Sequence, residues 1–558
     1  MLAAVFGLAA VAHLAMGQAP TRAQTPLRFE VSFPASVHSA PIDGRVLLIL
    51  ASKNDPEPRF QVAVFLADSP PLFGMDVNGL APNQPAIIDT KAYGYPVTSL
   101  ARVPAGDYYV QALLNVYTTF RRADGHVVKM HMDQGEGQSW QRSPGNLVSD
   151  VQKVTIDPAK GGTVRISLSR KIPPIDPPKD SRYVKHITLH SDAVSKFWGR
   201  DMNVGAAVLL PEGWDTHPNV KYPIAWYQDH FFPTIRGFSD TPPASGARAA
   251  DSSAYRFYQL WASKNFPRMI VVMPQDPNPY FDDSYAVNSA NVGPYGDALW
   301  KELMPVVEQK FRGISEPWGR VLYGGSTGGW RALGVQVLYP DLFAGTWAFC
   351  PDPVDFRGYR SVNLYDSKNA YYQEFEAGRK VARPGYRTIL GEVLATFEQR
   401  NLIEQVIGPN GRSGGQHDAW PAVFGPVGAD GYYKPPFDKV TGEIDHTVVN
   451  YWRDHYDLRY ILERDWATLG PKLRGKIHVT MGDADNGYLT IGVFHLDNFL
   501  RHATNPPSDA EFTYERLRGH CYTATPEGKT MNEYWLPIIA DYITRHAPAG
   551  ADVTSWKY

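Results

Sequence analysis

One serine in the chain lies in a setting typical of a nucleophile. The stretch VLYGGSTGGW, residues 321–330, fits the pattern G-x-S-x-G around Ser326. Apolar residues before it predict a buried strand, and TGGWRALGVQVLYP after it predicts a helix. On such a turn the serine hydroxyl stands above the sheet, and the small residues Gly324 and Gly328 avoid neighbouring backbone. The motif predicts that Ser326 attacks an acyl carbon, and the alternative is a glycine-rich turn without chemistry.

A serine hydroxyl is a poor nucleophile at neutral pH, so it needs a base, and the base needs a carboxylate to orient it. In chains with this motif the acid and then the histidine follow the serine. The stretch IHVTMGDADNGYL places two aspartates after one predicted strand, and ERLRGHCYT places His520 after the last predicted strand. We predict that His520 is the base and Asp485 the acid, with Asp483 as the alternative acid.

The oxyanion of an acyl-transfer reaction needs backbone N–H donors. We expect the N–H of Thr327 to supply one of them, because it directly follows the nucleophile. The loop after the predicted strand YPIAWYQDHFF should supply the second, from Phe231 or, as the alternative, from His230. Asn288, Asn291 and Tyr295 are predicted to line the substrate pocket.

The chain is predicted to contain two domains, and all of these residues lie in the second. Residues 24–172 carry short runs of alternating polarity broken by Gly, Pro and Asp, such as LRFEVSF and RFQVAVFLA, which predict an accessory β-sandwich. A proline-rich linker follows at 173–180. In residues 181–548, apolar strands alternate with helical patterns, which predicts an α/β domain with a mostly parallel sheet. A long segment at about 357–470 interrupts this rhythm and is predicted to form a cap over the site.

Composition bounds the function further. The 558 residues are 43% hydrophobic and 20% charged, typical of a globular protein of more than one domain, and the net charge of −2 gives no sign of a nucleic-acid or anionic-membrane partner. Residues 1–23 resemble a signal peptide, so we expect an exported protein, periplasmic or secreted, that has no membrane association after cleavage. The only two cysteines, Cys350 and Cys521, then either form a disulfide or remain free thiols.

Four further polar residues in the predicted cap could bind a metal. They are His417, Asp418, Asp445 and His446. We interpret them instead as scattered polar loop residues.

Several motifs together resemble a known family. GGSTGGW, PDPVDF at 351–356, GDADNGYL, RGHCYT and the stretch at 288–311 are similar to the putative esterase family, the α/β-hydrolase group that includes esterase D and enterochelin-esterase-like proteins. The likeness spans most of 183–548 except the cap. It implies an α/β-hydrolase fold, Ser326 as nucleophile, Asp485 as acid, His520 as base, and neither a metal nor an organic cofactor. The chain departs from the family in its long insertion and in the Asp229-His230 pair, where relatives often have His-Gly.

The sequence therefore predicts a serine esterase that acts on a small-molecule or carbohydrate ester, with a carbohydrate or phenolic ester as the expected substrate. A peptidase or amidase on the same fold is one alternative, because the three residues alone do not select the acyl group. A non-catalytic carbohydrate-binding or surface protein on a hydrolase scaffold is the other.

Overall fold

The structure is a computed structural model that describes residues 26–63 and 68–558. The predicted signal peptide lies outside the described residues, so export remains a prediction. Within the described ranges, no helix combines the length and apolarity needed to cross a bilayer.

The N-terminal part is built of strands. They are β1 (Arg28–Ser32), β2 (Ile42–Ala51), β3 (Leu72–Leu80), β4 (Ala86–Ile88), β5 (Tyr93–Tyr95), β6 (Gly106–Val116), β7 (Thr118–Arg121), β8 (Val127–Met130), β9 (Leu147–Val148), β10 (Gln152–Ile156), β11 (Thr163–Ser167) and β12 (Arg170–Lys171).

Two of the sheets formed by these strands face each other. One has the order β11-β1-β4, and the other has the order β12-β9-β6-β2-β3-β5 with β10 paired to β6. Burial alternates along β1, so that Phe29 and Val31 face inward. Their side chains share one core with inward residues of the larger sheet, such as Leu48 and Leu114. This packing uses the period-two side-chain pattern that the sequence displays.

One predicted strand of this part is wrong over its described residues. In RFQVAVFLA, residues Pro58–Phe60 form a 3₁₀ turn and residues 61–63 belong to no strand; residues 64–67 lie outside the described part. The proline at the start of the turn fixes φ and lacks a backbone donor, so a hydrogen-bonded ladder does not form there.

The second part mixes strands and helices. Its strands are β13 (Val184–His190), β14 (Asn203–Leu209), β15 (Ile224–Gln228), β16 (Ile270–Gln275), β17 (Asn288–Ser289), β18 (Gly293–Pro294), β19 (Arg320–Gly325), β20 (Gly345–Phe349), β21 (Tyr372–Glu374), β22 (Lys380–Ala382), β23 (Pro384–Arg387), β24 (Val393–Thr396), β25 (Ile477–Gly482) and β26 (Glu511–Glu515). Its helices are α1 (Asp192–Trp198), α2 (Ala249–Trp261), α3 (Tyr295–Asp297), α4 (Met304–Phe311), α5 (Thr327–Leu338), α6 (Phe397–Ile407), α7 (Gln416–Phe424), α8 (His446–Tyr456), α9 (Leu458–Leu473), α10 (Thr490–His502) and α11 (Met531–His546).

Eight of these strands form the central sheet, in the order β13-β14-β16-β15-β19-β20-β25-β26. All neighbours from β16 to β26 run parallel, and only the pairs β13–β14 and β14–β16 are antiparallel. The predicted α/β fold with a mostly parallel sheet is confirmed. Parallel strands place their carboxyl ends at one edge, which is where a ligand site is expected in such sheets.

The segment between β20 and β25 holds two short hairpins, β21–β22 and β23–β24, and helices α6 to α9. Thr396 caps the start of helix α6. Its side chain accepts the N–H of Gln399, and the Gln399 side chain accepts the N–H of Thr396. This reciprocal cap satisfies two donors at the helix start. It fixes where α6 begins after the hairpin.

Helix α6 joins the inserted segment to the N-terminal sheet. Ile403 and Val406 pack with Leu47 and Ile49, which lie on the face of β2 turned away from the sandwich core. The Arg45 guanidinium donates to the Val406 carbonyl at 2.8 Å. The insertion is therefore held by the N-terminal part of the chain.

Ionic contacts reinforce this junction. Asp76 of β3 accepts from Arg45 at 2.7 Å and from Arg412 of the insertion at 2.7 Å. Burial raises the pKa of Asp76, but the two guanidinium groups outweigh burial and hold that pKa below its usual value. The hairpin β7–β8 of the N-terminal part also contacts the second part of the chain. Its Phe120 packs edge-on against Trp198 of α1, with 5.1 Å between the ring centroids.

We expect Ile403→Ala to lower the free energy of unfolding by about 2–5 kcal/mol, because it removes buried methyl groups at this junction. Ile87→Ala is the matched control, since Ile87 is 42% exposed, and should change it by less than about 0.5 kcal/mol. Denaturant unfolding followed by fluorescence measures both. Equal effects of the two substitutions would contradict the role given to α6.

Candidate active site

Ser326 lies at a sharp turn between β19 and α5. Its backbone has φ 60° and ψ −124°, a region that non-glycine residues rarely occupy. A Cβ on Gly324 would lie 2.3 Å from the Gln228 carbonyl oxygen, and one on Gly328 would lie 2.0 Å from it. Both positions therefore require glycine, because the end of β15 passes directly under the turn.

The buried Arg331 of α5 holds the turn against two strand ends. Its guanidinium donates to the side chain of Gln228 at 3.1 Å, to the carbonyl of Asp229 at 3.0 Å and to the carboxylate of Asp276 at 2.8 Å. Arg331 and Asp276 are each 1% exposed, so this is a buried ion pair with its hydrogen bonds satisfied. It ties α5 to the loops after β15 and β16.

The structure brings Ser326, His520 and Asp485 together from three separate loops. Ser326 Oγ lies 2.8 Å from His520 Nε2, and His520 Nδ1 lies 2.7 Å from Asp485 Oδ2. The second Asp485 oxygen, Oδ1, accepts the N–H groups of Gly487 at 2.8 Å and Leu489 at 3.0 Å. The carboxylate is thus fully occupied and aimed at the imidazole.

Asp483, the alternative acid, does not reach the imidazole ring. Its Oδ1 accepts the N–H of Leu517 at 2.7 Å, which joins the loop after β25 to the loop after β26. Next to it, Asn486 Oδ1 accepts the backbone N–H of His520 at 2.8 Å. Both contacts fix the loop that carries the histidine.

The surroundings shift the pKa values of Asp485 and His520 in opposite directions. Burial raises the pKa of Asp485, but the adjacent imidazole outweighs it, so that the pKa lies below its usual value. Burial lowers the pKa of His520, but the Asp485 carboxylate outweighs it, so that the pKa lies well above the ordinary histidine value. An imidazolium formed by taking a proton from Ser326 is therefore stabilised where it forms.

The backbone N–H groups expected to bind the oxyanion differ in their surroundings. Thr327 is the first residue of α5, and the first N–H groups of a helix have no acceptor within it. The N–H of His230 already donates to Asp229 Oδ1 at 2.8 Å. Phe231 lines a second cavity, of about 400 Å³, bordered by the proline-rich segment and β14. The Phe231 backbone donor remains a prediction.

Ser326 opens into a cavity of about 350 Å³. Its walls come from the strand ends and from the insertion, which contributes Arg360, Tyr386, Arg400 and Gln416. The remaining lining residues are Tyr227, Asp229, His230, Arg236, Gly325, Asp352, Gly487, Leu489, His520, Cys521, Thr523 and Met531.

The insertion is fixed to the floor of this cavity through Asp352. Asp352 Oδ2 accepts the hydroxyl of Thr327 at 2.9 Å and that of Tyr285 at 2.7 Å. The side chain of Gln416 donates to Tyr285, and the indole of Trp420 donates to Asp352 at 3.3 Å. The start of α7 therefore lies directly over the residue that follows the nucleophile.

With this geometry in place, the comparisons with known proteins are informative. Residues 195–385 match the family model described as putative esterase. The match covers about a third of the chain, and the description of the family is that of an ester hydrolase. The matched segment includes Ser326 and ends before Asp485 and His520.

Solved structures give distant likenesses. A ferulic acid esterase is 16% identical, with a TM-score of 0.35, over 65% of this chain and 98% of that one. An S-formylglutathione hydrolase from Agrobacterium tumefaciens is 11% identical, with a TM-score of 0.33, over 65% and 95%. The fluorophosphonate-binding serine hydrolase FphF of Staphylococcus aureus is 16% identical, with a TM-score of 0.31, over 65% and 97%. No curated protein matches the chain.

Three residues expected in the substrate pocket do not line the cavity of Ser326. Asn288 Oδ1 accepts the N–H of Asp297 at 2.9 Å. The buried Asn291 amide donates to the Gly425 carbonyl at 2.7 Å, and the Tyr295 hydroxyl donates to Pro277 at 3.2 Å. Through these bonds the three side chains brace backbone segments outside the cavity.

Sequence reasoning missed the cavity residues of the insertion. Arg360, Tyr386, Arg400 and Gln416 belong to no motif, and no spacing relates them to Ser326. The one available signal was the length and aromatic content of the insertion, which predicted a cap without indicating which side chains would reach the cavity.

The two cysteines are free thiols beside the imidazole of His520. One ligand atom from each of Cys350, His520 and Cys521 lies within 4.8 Å of the others. Cys350 Sγ also accepts the backbone N–H of Ser326 at 3.3 Å. The pKa of Cys521 is lowered to about 5 by hydrogen bonding from Cys350 and by the neighbouring His520, against the effect of burial.

His230, which lines the cavity, forms a second cluster of possible metal ligands with Asp282 and Asp283. His230 Nδ1 already lies 3.1 Å from Asp282, and the Arg331 guanidinium lies 3.5 Å from Asp283. Burial lowers the pKa of His230, but these carboxylates outweigh it and raise the pKa to about 10, so its charge balances theirs.

The two aspartates among the cap residues considered as metal ligands have separate structural contacts. Asp418 pairs with Lys439 at 3.0 Å, and Asp445 caps α8 through the N–H groups of Thr447 and Val448.

Hydrolysis should become faster as the pH rises and His520 loses its proton, because the base must be neutral to accept the proton of the Ser326 hydroxyl. Because the folded pKa of His520 is raised, the midpoint of the rising limb of kcat/KM should lie above pH ~6.5, the ordinary histidine value. Cys521→Ser removes a neighbouring negative charge that also raises this pKa, so its midpoint should move to lower pH. A pH series with a neutral 4-nitrophenyl ester measures both. A wild-type midpoint at or below the ordinary value would contradict the electrostatic account.

Proposed function

We propose that this esterase hydrolyses its substrate with Ser326 as nucleophile, His520 as general base and Asp485 as the carboxylate that orients the base. The single observation that supports this most is the continuous contact of the three groups, at 2.8 and 2.7 Å, at the mouth of a cavity. These distances are within the range for proton transfer between a nucleophile and its base.

The reaction proceeds in two halves. Ser326 Oγ attacks the ester carbonyl carbon as His520 Nε2 takes the hydroxyl proton, and the carbonyl oxygen becomes an oxyanion facing the N–H of Thr327. His520 returns the proton to the departing alcohol, which leaves an acyl group on Ser326. A water then attacks this acyl group, with His520 again as base, and releases the acid. Each oxyanion donor contributes about 3 kcal/mol.

Asp485 acts throughout by orientation and charge. Its Oδ2 holds the proton on His520 Nδ1, so that Nε2 presents a lone pair to Ser326. Because its own pKa is lowered, the carboxylate stays ionised while the imidazolium forms.

The substrate we propose is a small ester, with a carbohydrate or phenolic group as its bulk. The cavity volume of about 350 Å³ is near the lower end for ligand pockets, which suits a part of about one ring in size. Tyr227 and Tyr386 on its wall offer aromatic surface for such a ring.

We expect Ser326→Ala to reduce hydrolysis of 4-nitrophenyl acetate by at least about three orders of magnitude, because no other hydroxyl contacts His520 Nε2 in the described part of the chain. Ser252→Ala, on the exposed face of α2, is the matched control and should retain activity. A fluorophosphonate probe should label the wild type at Ser326, as mass spectrometry of the peptide will show. Labelling elsewhere, or activity retained in Ser326→Ala, would refute the assignment.

Asp485→Asn should lower kcat by about 10⁴-fold, because an amide no longer fixes the imidazole tautomer. Asp483→Asn is the matched control: it lies two residues away, contacts backbone only, and should cost less than about tenfold. Steady-state kinetics on both variants decides between the two carboxylates. A larger loss in Asp483→Asn would reverse the assignment of the acid.

A further inference from the structure

The insertion places two buried guanidinium groups on the cavity that contains Ser326. Arg360 is 5% exposed and Arg400 is 2% exposed, and both line the cavity wall. Burial lowers the pKa of each, and the charge of Arg360 lowers the pKa of Arg400 further. Like charges brought together in a buried site raise the free energy of the protein without a ligand.

Arg360 has few partners of its own. One of its N–H groups points to the Gly487 carbonyl at 3.4 Å, which is long for a hydrogen bond, and its plane lies 4.8 Å from the centre of the Trp420 ring. Its Nε makes no hydrogen bond with any described residue. Across residues 26–63 and 68–558, no carboxylate oxygen lies within 4.0 Å of its guanidinium nitrogens.

Arg331 shows what a structural arginine looks like in the same domain. It is equally buried, yet it donates to Asp276, to Gln228 and to the Asp229 carbonyl at 2.8 to 3.1 Å. Buried arginines are normally held by this kind of planar, multiply bonded arrangement. Arg360 lacks it, although it lies in the same protein core.

The carboxylates that face Arg360 are already used. Asp352 accepts from Thr327 and Tyr285, and Asp485 is bound by His520 and two backbone N–H groups. Both raise the pKa of Arg360 from a distance without pairing with it.

The other cations of the cavity have near partners. Arg236 pairs with Asp229 at 3.0 Å, and His230 pairs with Asp282 at 3.1 Å. Arg360 therefore differs from both: it faces the cavity with a charge that no described carboxylate contacts.

We propose that Arg360 is the centre of an anion subsite and that the ester substrate carries a carboxylate group that enters the same cavity as its scissile bond. This inference rests on the proposed function. A carboxylate matches the fork of the guanidinium and forms charge-assisted hydrogen bonds that the protein does not supply. Arg400 adds positive potential from the same wall. The cavity volume of about 350 Å³ limits the anionic ester to a short chain or one ring.

The wild-type test compares two esters that differ only at the far end of the acyl chain, monomethyl adipate and methyl hexanoate. The ratio of their kcat/KM values, measured by acid release in a pH-stat, should favour the adipate by about tenfold or more, as expected for hydrogen bonds to a charged group. Monomethyl glutarate and monomethyl pimelate locate the best chain length. Methyl 5-phosphonopentanoate tests whether a phosphonate serves as the anion better than a carboxylate does.

Substitutions then assign the preference to the residue. Arg360→Met keeps the apolar stem and should lower the adipate-to-hexanoate ratio by at least about tenfold, whereas Arg360→Lys should restore part of it. Arg383→Met is the matched control: Arg383 also belongs to the insertion and bonds the Ser361 carbonyl, but it does not line this cavity, so the ratio should stay within about twofold.

The outcomes separate the two proposals. Hydrolysis of methyl hexanoate without any preference for anionic esters would overturn the subsite and leave the esterase mechanism intact. Binding of monomethyl adipate to Ser326→Ala in calorimetry, with no turnover by the wild type, would support the subsite and overturn the mechanism. If Arg360→Met fails to fold, the wild-type ratio decides, together with its fall at high ionic strength; a ratio near one, or one insensitive to salt, overturns the proposal.

Discussion

The site depends on one close approach between two backbones. The Gln228 carbonyl at the end of β15 lies against Gly324 and Gly328, so that the turn bearing Ser326 has no room for side chains on either side. The strained backbone of Ser326 is retained because the sheet and α5 hold both sides of the turn. Arg331 stabilises the contact between β15 and this turn through its hydrogen bonds to Gln228, Asp229 and Asp276. The position of the hydroxyl thus follows from the packing of parallel strands.

The second organising feature is the insertion between β20 and β25. It is anchored at two places that lie far apart along the chain: α6 packs on the N-terminal sheet through Ile403 and Val406, and the start of α7 bonds to Asp352. The N-terminal part therefore reaches the cavity indirectly, because it supports the segment that forms the cavity wall. This gives the sandwich a structural role in the site without any contact with Ser326.

The charges around the cavity divide into two kinds. Some have a close partner: Arg331 pairs with Asp276, Arg236 with Asp229, and His520 with Asp485. Arg360 is buried against the ring of Trp420 and lacks such a pair in the described part of the chain, so no ion pair offsets its desolvation there. The cavity beside Ser326 thereby contains a positive charge that no carboxylate of the described residues pairs with.

The sequence by itself determined the alternation of strands and helices, the turn at Ser326, and the order of serine, aspartate and histidine, because these depend on local patterns of apolar residues and glycine. It also left Asp485 and Asp483 as alternatives, since both follow β25 within three residues; only the tertiary structure shows that Asp485 faces the imidazole while Asp483 binds the N–H of Leu517. The cavity wall was not predictable. Arg360 and Gln416 reach Ser326 because the insertion folds back across the sheet, and such contacts depend on long-range packing that no short stretch of sequence encodes. The same reason applies to three residues that precede β19 in the chain and lie outside the cavity: Asn288, Asn291 and Tyr295. Each bonds backbone of a neighbouring segment, and these contacts form only when the chain is packed.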